Sequence, residues 1–210
     1  ATLQWLDLDP AQARRLADEL AENAKPENAR YRYDYYTDNC STRVRDALDR
    51  TLHGALKRQL SGRSGGDTYR SESVRLASPA TWMWIGFDIG LGPFGDRPLS
   101  RWEQAFLPRR LADDLRETRL ADGRPLVVAE QELLPQAQAA EPAERQRSLL
   151  TWLLLGIAVA AAVLALAPRM PRGVAGFAFA YWLACGLLGL VLALGWAFTE
   201  HRALWANRNL

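Results

Sequence analysis

Cysteine and histidine are scarce in this chain: its 210 residues hold two of each, Cys40 and Cys185, His53 and His201. Cys40 stands among charged and aromatic residues, whereas Cys185 lies inside a long uncharged run. The two do not pair, which excludes a disulfide framework. No zinc-type ligand spacing and no phosphate-cradling glycine loop occurs, so no metal and no cofactor are expected. A clustered basic face is lacking as well. Arginines alternate with acids through the front of the chain, which excludes a nucleic-acid partner. No internal repeat is visible.

Charge itself disappears after residue 148. Only Arg169, Arg172, Arg202, Arg208 and Glu200 remain beyond that point. Leu149 to Ala167 carries no charged residue, and Gly173 to Thr199 is a longer uncharged run. At about 1.5 Å per residue each is long enough to cross a hydrocarbon core of about 30 Å. Trp152, Trp196 and Trp205 fall near their ends, where an amphipathic indole prefers to sit. A hairpin of two transmembrane helices is expected at 149–167 and 173–199. Its connection at 168–172, Pro168-Arg169-Met170-Pro171-Arg172, is basic and free of acids, which predicts a cytoplasmic turn. Both flanks, including the tail at 200–210, then lie on the opposite side.

The front piece reads as one compact α+β domain over residues 1–135, followed by an Ala/Pro/Gln linker at 136–148. Asp9 before Pro10 marks a helix start, and Ala13, Leu16, Leu20 and Ala24 carry it to about Asn23. YRYDYY at 31–36 alternates aromatic and polar residues, which predicts a short extended segment. Asp38 and Asn39 then offer a second cap. Val44, Leu48, Leu52 and Leu56 form one stripe of a helix running from Cys40 to about Leu60. A Gly/Ser loop at 61–67, an aromatic-rich stretch around Trp82 to Phe94, a helix at about 101–120 and a strand at 125–129 complete the reading.

Cys40 is the strongest chemical candidate. The first turn of a helix offers unpaired N–H groups and the positive end of the helix dipole, both of which stabilise a thiolate. The same N–H groups can donate to an oxyanion during acyl transfer. An extended segment, a tight turn, a cysteine and a helix are how cysteine acyl-transfer enzymes present their nucleophile. The competing reading is a small residue buried under the helix. A base is harder to find. His53 lies about 20 Å along the expected helix from Cys40. His201, beyond the second apolar run, is the remaining candidate.

Pro26-Glu27-Asn28, YRYDYYTDNCSTRVRDAL, Thr68-Tyr69-Arg70, Gly95-Asp96, and Glu103 with Phe106-Leu107-Pro108 occur in an order that resembles one family. It is the N-terminal periplasmic domain of Lnb-type lipoprotein N-acyltransferases, and the resemblance covers about residues 5–135. Asn-Cys-Ser-Thr-Arg at 39–43 is its most specific part. The resemblance implies a permuted papain-like fold related to NlpC/P60 hydrolases, in which a catalytic histidine precedes the cysteine. No histidine precedes Cys40 here, so the chain is expected to lack the N-terminal part of that domain. It further implies a bacterial inner-membrane protein with its soluble domain in the periplasm. There Cys40, assisted by Asn39, takes an acyl chain from a membrane phospholipid as a thioester and passes it to a lipoprotein or another amine. Tyr33 and Tyr36 are expected on the substrate side, Arg70 at a phosphate, and His201 as a base. A cell-wall amidase or peptidase of the same broad fold remains an alternative. So does a non-catalytic periplasmic domain that binds envelope partners through the Trp82 to Phe94 segment.

Overall fold

The computed structural model describes residues 2–134, 140–143 and 149–209. Most of the linker at 136–148 therefore lies outside the described residues. The chain divides into two compact units, one of residues 1–72 and 96–140, the other of residues 73–95 and 141–210. The first is an α+β domain, and the second holds the two apolar helices.

In the first unit, β1 (Thr2–Leu6) pairs antiparallel with β2 (Val127–Glu132), from Thr2 opposite Glu132 to Leu6 opposite Val127. β2 begins two residues later than the sequence reading placed it. β1 escaped that reading because five residues with a partner more than a hundred positions away leave no local signal. Helix α1 (Pro10–Asn23) starts where expected: the Asp9 carboxylate accepts from the N–H groups of Ala11 and Gln12, each at 2.8 Å. The Gln12 side chain closes the reciprocal bond to the Asp9 N–H.

The expected helix from Cys40 to Leu60 is in fact two, α2 (Cys40–Thr51) and α3 (Ala55–Ser61). His53 and Gly54 interrupt it, both left-handed, with φ of 54° and 79°. That conformation breaks the N–H to C=O ladder and costs little at glycine. The break lets Leu48 and Leu52 of one segment and Leu56 and Leu60 of the next enter the same core, with Ala105, Leu111, Leu115 and Leu126. The predicted helix at 101–120 is likewise divided, into α6 (Arg101–Gln104) and α7 (Pro108–Glu117). Pro108 cannot donate within a continuous helix but is well placed at the start of a new one.

Residues 31–36 form no strand. The Asp34 carboxylate accepts from the N–H of Tyr36 at 3.0 Å, and from both the N–H and the hydroxyl of Thr37 at 2.8 Å. Such a local carboxylate turn competes with extended pairing. All that remains of a ladder is an isolated bridge between Asp34 and Asp38.

α4 (Tyr69–Ala77) leads out of the first unit, which the chain re-enters at Asp96. Both ends of this excursion are fixed within the first unit. Arg110 donates to Glu72 at 3.2 Å, and Arg70 grips Asp96 through Nε at 2.6 Å and Nη2 at 3.1 Å.

The second unit contains α5 (Thr81–Gly90), α8 (Leu149–Leu166) and α9 (Pro171–Phe198). α8 and α9 are long and apolar enough to cross a membrane, and almost none of their surface is buried within the protein. Pro171 opens α9, and the Arg169 guanidinium caps the Ala165 carbonyl at 2.9 Å across the turn. After α9 the chain folds back on itself: the Trp205 indole donates to the Thr199 carbonyl at 3.0 Å.

Candidate active site

The N-terminus of α2 is held by its own sequence. Asn39 is the cap, with its side-chain oxygen accepting from the Thr42 N–H at 2.9 Å. Thr42 returns the bond, its hydroxyl accepting from the Asn39 N–H at 2.8 Å. The Asn39 amide has a second task. Its Nδ2 donates to the carbonyls of Tyr35 at 2.8 Å and Phe106 at 3.0 Å. Ser41 donates to the neighbouring Ala105 carbonyl at 2.8 Å. Arg43 forks onto Asp38 at 2.7 and 2.9 Å and lies over the Tyr31 ring at 3.8 Å. Arg45 lies over Trp102 at 3.9 Å while donating to its carbonyl at 2.8 Å.

Asn39, Ser41 and Thr42 are all buried, and each is tied to backbone. Cys40, between them, is exposed. The buried-hydrophobe reading of this cysteine is thereby overturned. Four of the five residues in the Asn-Cys-Ser-Thr-Arg block hold the turn, and the fifth presents its side chain to the outside.

Of the two tyrosines expected beside Cys40, one is exposed and one buried. Tyr33 is half exposed, and its phenol titrates above its ordinary value. Burial contributes most to that shift and the neighbouring Cys40 thiolate next. Tyr36 instead packs edge-on against Tyr35 and Phe106, and 4.6 Å from Tyr69 between ring centroids. Its ring is core rather than lining. Burial in the same cluster pushes the Tyr69 phenol up to about 12. Arg70 points its guanidinium at Asp96, so the fork expected for phosphate carries a carboxylate of its own chain.

A cavity of about 500 Å³ lies between α1, α2 and the tyrosine-rich segment. Leu20, Val44 and Ala47 form its apolar part, with Asp38, Arg43, Asp46 and Arg50 at the polar side. Val44 and Ala47 stand four and seven residues after Cys40, hence on the same face of the helix. Sequence reasoning missed this cavity because its other wall, α1, reaches α2 only through the tertiary fold.

His53 is placed at the far end of α2 and contacts Arg15, with 3.2 Å between Nη1 and Nε2. It does not meet Cys40. His201 lies in the second unit, where its carbonyl accepts from the Leu204 N–H at 2.9 Å.

Residues 2–77 match the family described as the Lnb N-terminal periplasmic domain. No curated protein and no solved structure matches the chain. The front of the chain is thus similar to a periplasmic domain, and two helices further on are long and apolar enough to cross a membrane.

Proposed function

We propose, from the match of residues 2–77 to the Lnb N-terminal periplasmic domain, that the chain belongs to a membrane-anchored cysteine acyltransferase of the bacterial inner membrane. The observation that carries this reading is the solitary exposure of Cys40 within a block whose other side chains are consumed in holding the helix start.

In the first half-reaction the Cys40 thiolate attacks an ester carbonyl of a phospholipid. A C–S bond forms and the C–O bond breaks, and the lysophospholipid leaves as an alcohol after taking up a proton. In the second, an amine attacks the thioester carbon. An amide forms, the thiolate leaves, and the amine nitrogen gives up its proton. The N–H groups of Cys40 and Ser41, which precede the capped Thr42 N–H in the first turn of α2, stabilise the oxyanion of either step. Asn39 acts by holding that turn rather than by touching the acyl group. The apolar side of the cavity beside Val44 and Ala47 suits the first carbons of an acyl chain. His201, the possible base read from the sequence, belongs to the other unit, and its role rests on the pH test below.

The test is transfer of an alkyne-tagged acyl chain from phospholipid to protein, in membranes holding the full chain. A hydroxylamine-labile adduct is expected on the wild type and on Cys185→Ala, and none on Cys40→Ala. Equal labelling of wild type and Cys40→Ala sinks the covalent mechanism. If His201 takes the thiol proton, His201→Gln slows adduct formation at neutral pH and the rate recovers as pH rises toward the thiol's own ionisation. An unchanged pH profile removes His201 from the mechanism.

A further inference from the structure

α5, of sequence TWMWIGFDIG, has no fully buried residue. Trp82 is 75% exposed, and Met83 is exposed as well. Asp88 is the one charged residue in the helix. A helix apolar on nearly every side normally belongs to a core or to a membrane, because so much exposed apolar surface is unfavourable in water.

Its surroundings say which. Trp84 meets Trp152, with ring centroids 6.2 Å apart. Trp152 is the fourth residue of α8, at the outset of that span. At its other end α5 is bound by the tail that follows α9. The Asn207 side chain donates to the carbonyls of Ile89 and Gly90, each at 2.8 Å, and that of Asn209 to Ile89 at 2.9 Å. Just beyond, the Gly92 N–H donates to the Ala203 carbonyl at 2.7 Å. The start of α8 and the end of α9 share one face of the bilayer in a hairpin. α5 is therefore fastened at both of its ends to that one level.

Two further features fit a layer poor in water. A helix leaves its last carbonyls without intrahelical donors, and here amides on the tail supply them, with Asn207 itself buried. Five tryptophans fall in α5, at the start of α8, at the end of α9 and in the tail after it, namely Trp82, Trp84, Trp152, Trp196 and Trp205, as expected at the boundary of headgroups and acyl chains.

We propose that α5 lies in the interfacial layer of the bilayer that α8 and α9 cross, and that its occupant is phospholipid. Trp84 turns to the hairpin. Trp82, two residues earlier and about 200° away around the helix, turns to lipid. The Trp82 to Phe94 segment is then a membrane-contact element rather than a platform for envelope proteins. This assignment is independent of any chemistry at Cys40.

The experiment uses the full chain with Cys40→Ala and Cys185→Ala, carrying a single cysteine at Trp82→Cys, Gly86→Cys or, as a control in β2, Val128→Cys. A side chain at Gly86 meets open space and Val128 is exposed, so the labels leave the packing intact. Each variant is labelled with an environment-sensitive fluorophore and reconstituted into phosphatidylethanolamine–phosphatidylglycerol vesicles. Nitroxide lipids, spin-labelled either near the headgroup or deep in the chain, serve as quenchers. Labels at Trp82 and Gly86 should be blue-shifted and quenched several-fold more than the Val128 label, with shallow nitroxides the more effective. Quenching no stronger than at Val128 overturns the proposal, whether water, a second copy or another protein covers the helix. Stronger quenching by deep nitroxides overturns it too, since the helix would then insert rather than lie in the interface.

Discussion

Asn39 and Phe106, sixty-seven residues apart in sequence, are joined by a buried hydrogen bond from the Asn39 amide to the Phe106 carbonyl, 3.0 Å long. The same amide holds Tyr35 at 2.8 Å. One side chain thus ties the tyrosine-rich segment, the start of α2 and the corner between α6 and α7.

Asn39→Ala removes both the cap and those two donors. A lost cap costs about 1 kcal/mol, and a buried carbonyl left without a donor about 1–3 kcal/mol. Asn39→Ser retains the cap and loses only the amide contacts, so its melting temperature should fall between those of wild type and alanine. Equal melting of serine and alanine variants would mean that the cap contributes nothing. The labelling rate of the Cys40 thiol by maleimide should change in both, because the turn that presents it loosens.

The two carboxylates that share Arg101 respond to acid in opposite senses. Arg101 and Arg63 hold Glu117 at about 2, below its ordinary 4.5. Its stabilising contribution is present above pH 4.5 and is lost as pH falls toward 2. Burial raises Asp114 above its ordinary value of 3.8, against the pull of Arg101. Its protonated form is favoured by folding, so its contribution is present below pH 3.8 and is lost as pH rises through the raised value. Glu117→Gln should flatten the fall in melting temperature between pH 4.5 and 2, whereas Asp114→Asn should steepen it. Parallel acid limbs in wild type and both variants would refute this assignment.

Gly92 has no room for a side chain. A Cβ there would stand 2.1 Å from the Trp205 carbonyl oxygen. Gly92→Ala should therefore detach the tail from the end of α5 and expose residues 199–209 to limited proteolysis, while Gly90→Ala, which meets open space, should not. Equal protease patterns for the two variants would show that the contact is dispensable.

The basic turn between the spans is expected on the cytoplasmic side. In a Cys40→Ala, Cys185→Ala background, a cysteine at Met170 should react with a membrane-permeant maleimide and not with an impermeant one applied from the periplasm. Labelling by the impermeant reagent inverts the topology.

The sequence made the two long apolar helices, the start of α1 and the cap at Asn39 legible, since each is written in one continuous stretch of residues. The helix break at His53 was not, because the leucine stripe continues across it: Leu52 and Leu56 lie on opposite sides of the kink in the same core. Helix α5 was obscured for another reason. Its apolar residues show no clear periodicity, and a helix facing lipid on one side and protein on the other needs none. At the site, exposure of Cys40 follows from the tasks of Ser41 and Asn39. Their partners at Ala105 and Phe106 are supplied only by the tertiary fold.

The excursion between Glu72 and Asp96 leaves and re-enters the first unit at points clamped by Arg110 and Arg70. Because Arg70 and Asp96 touch, the detour begins and ends at nearly the same spot, like a cassette plugged into a single socket. A short loop put in place of residues 73–95 would therefore have to bridge only the gap that Arg70 and Asp96 already close.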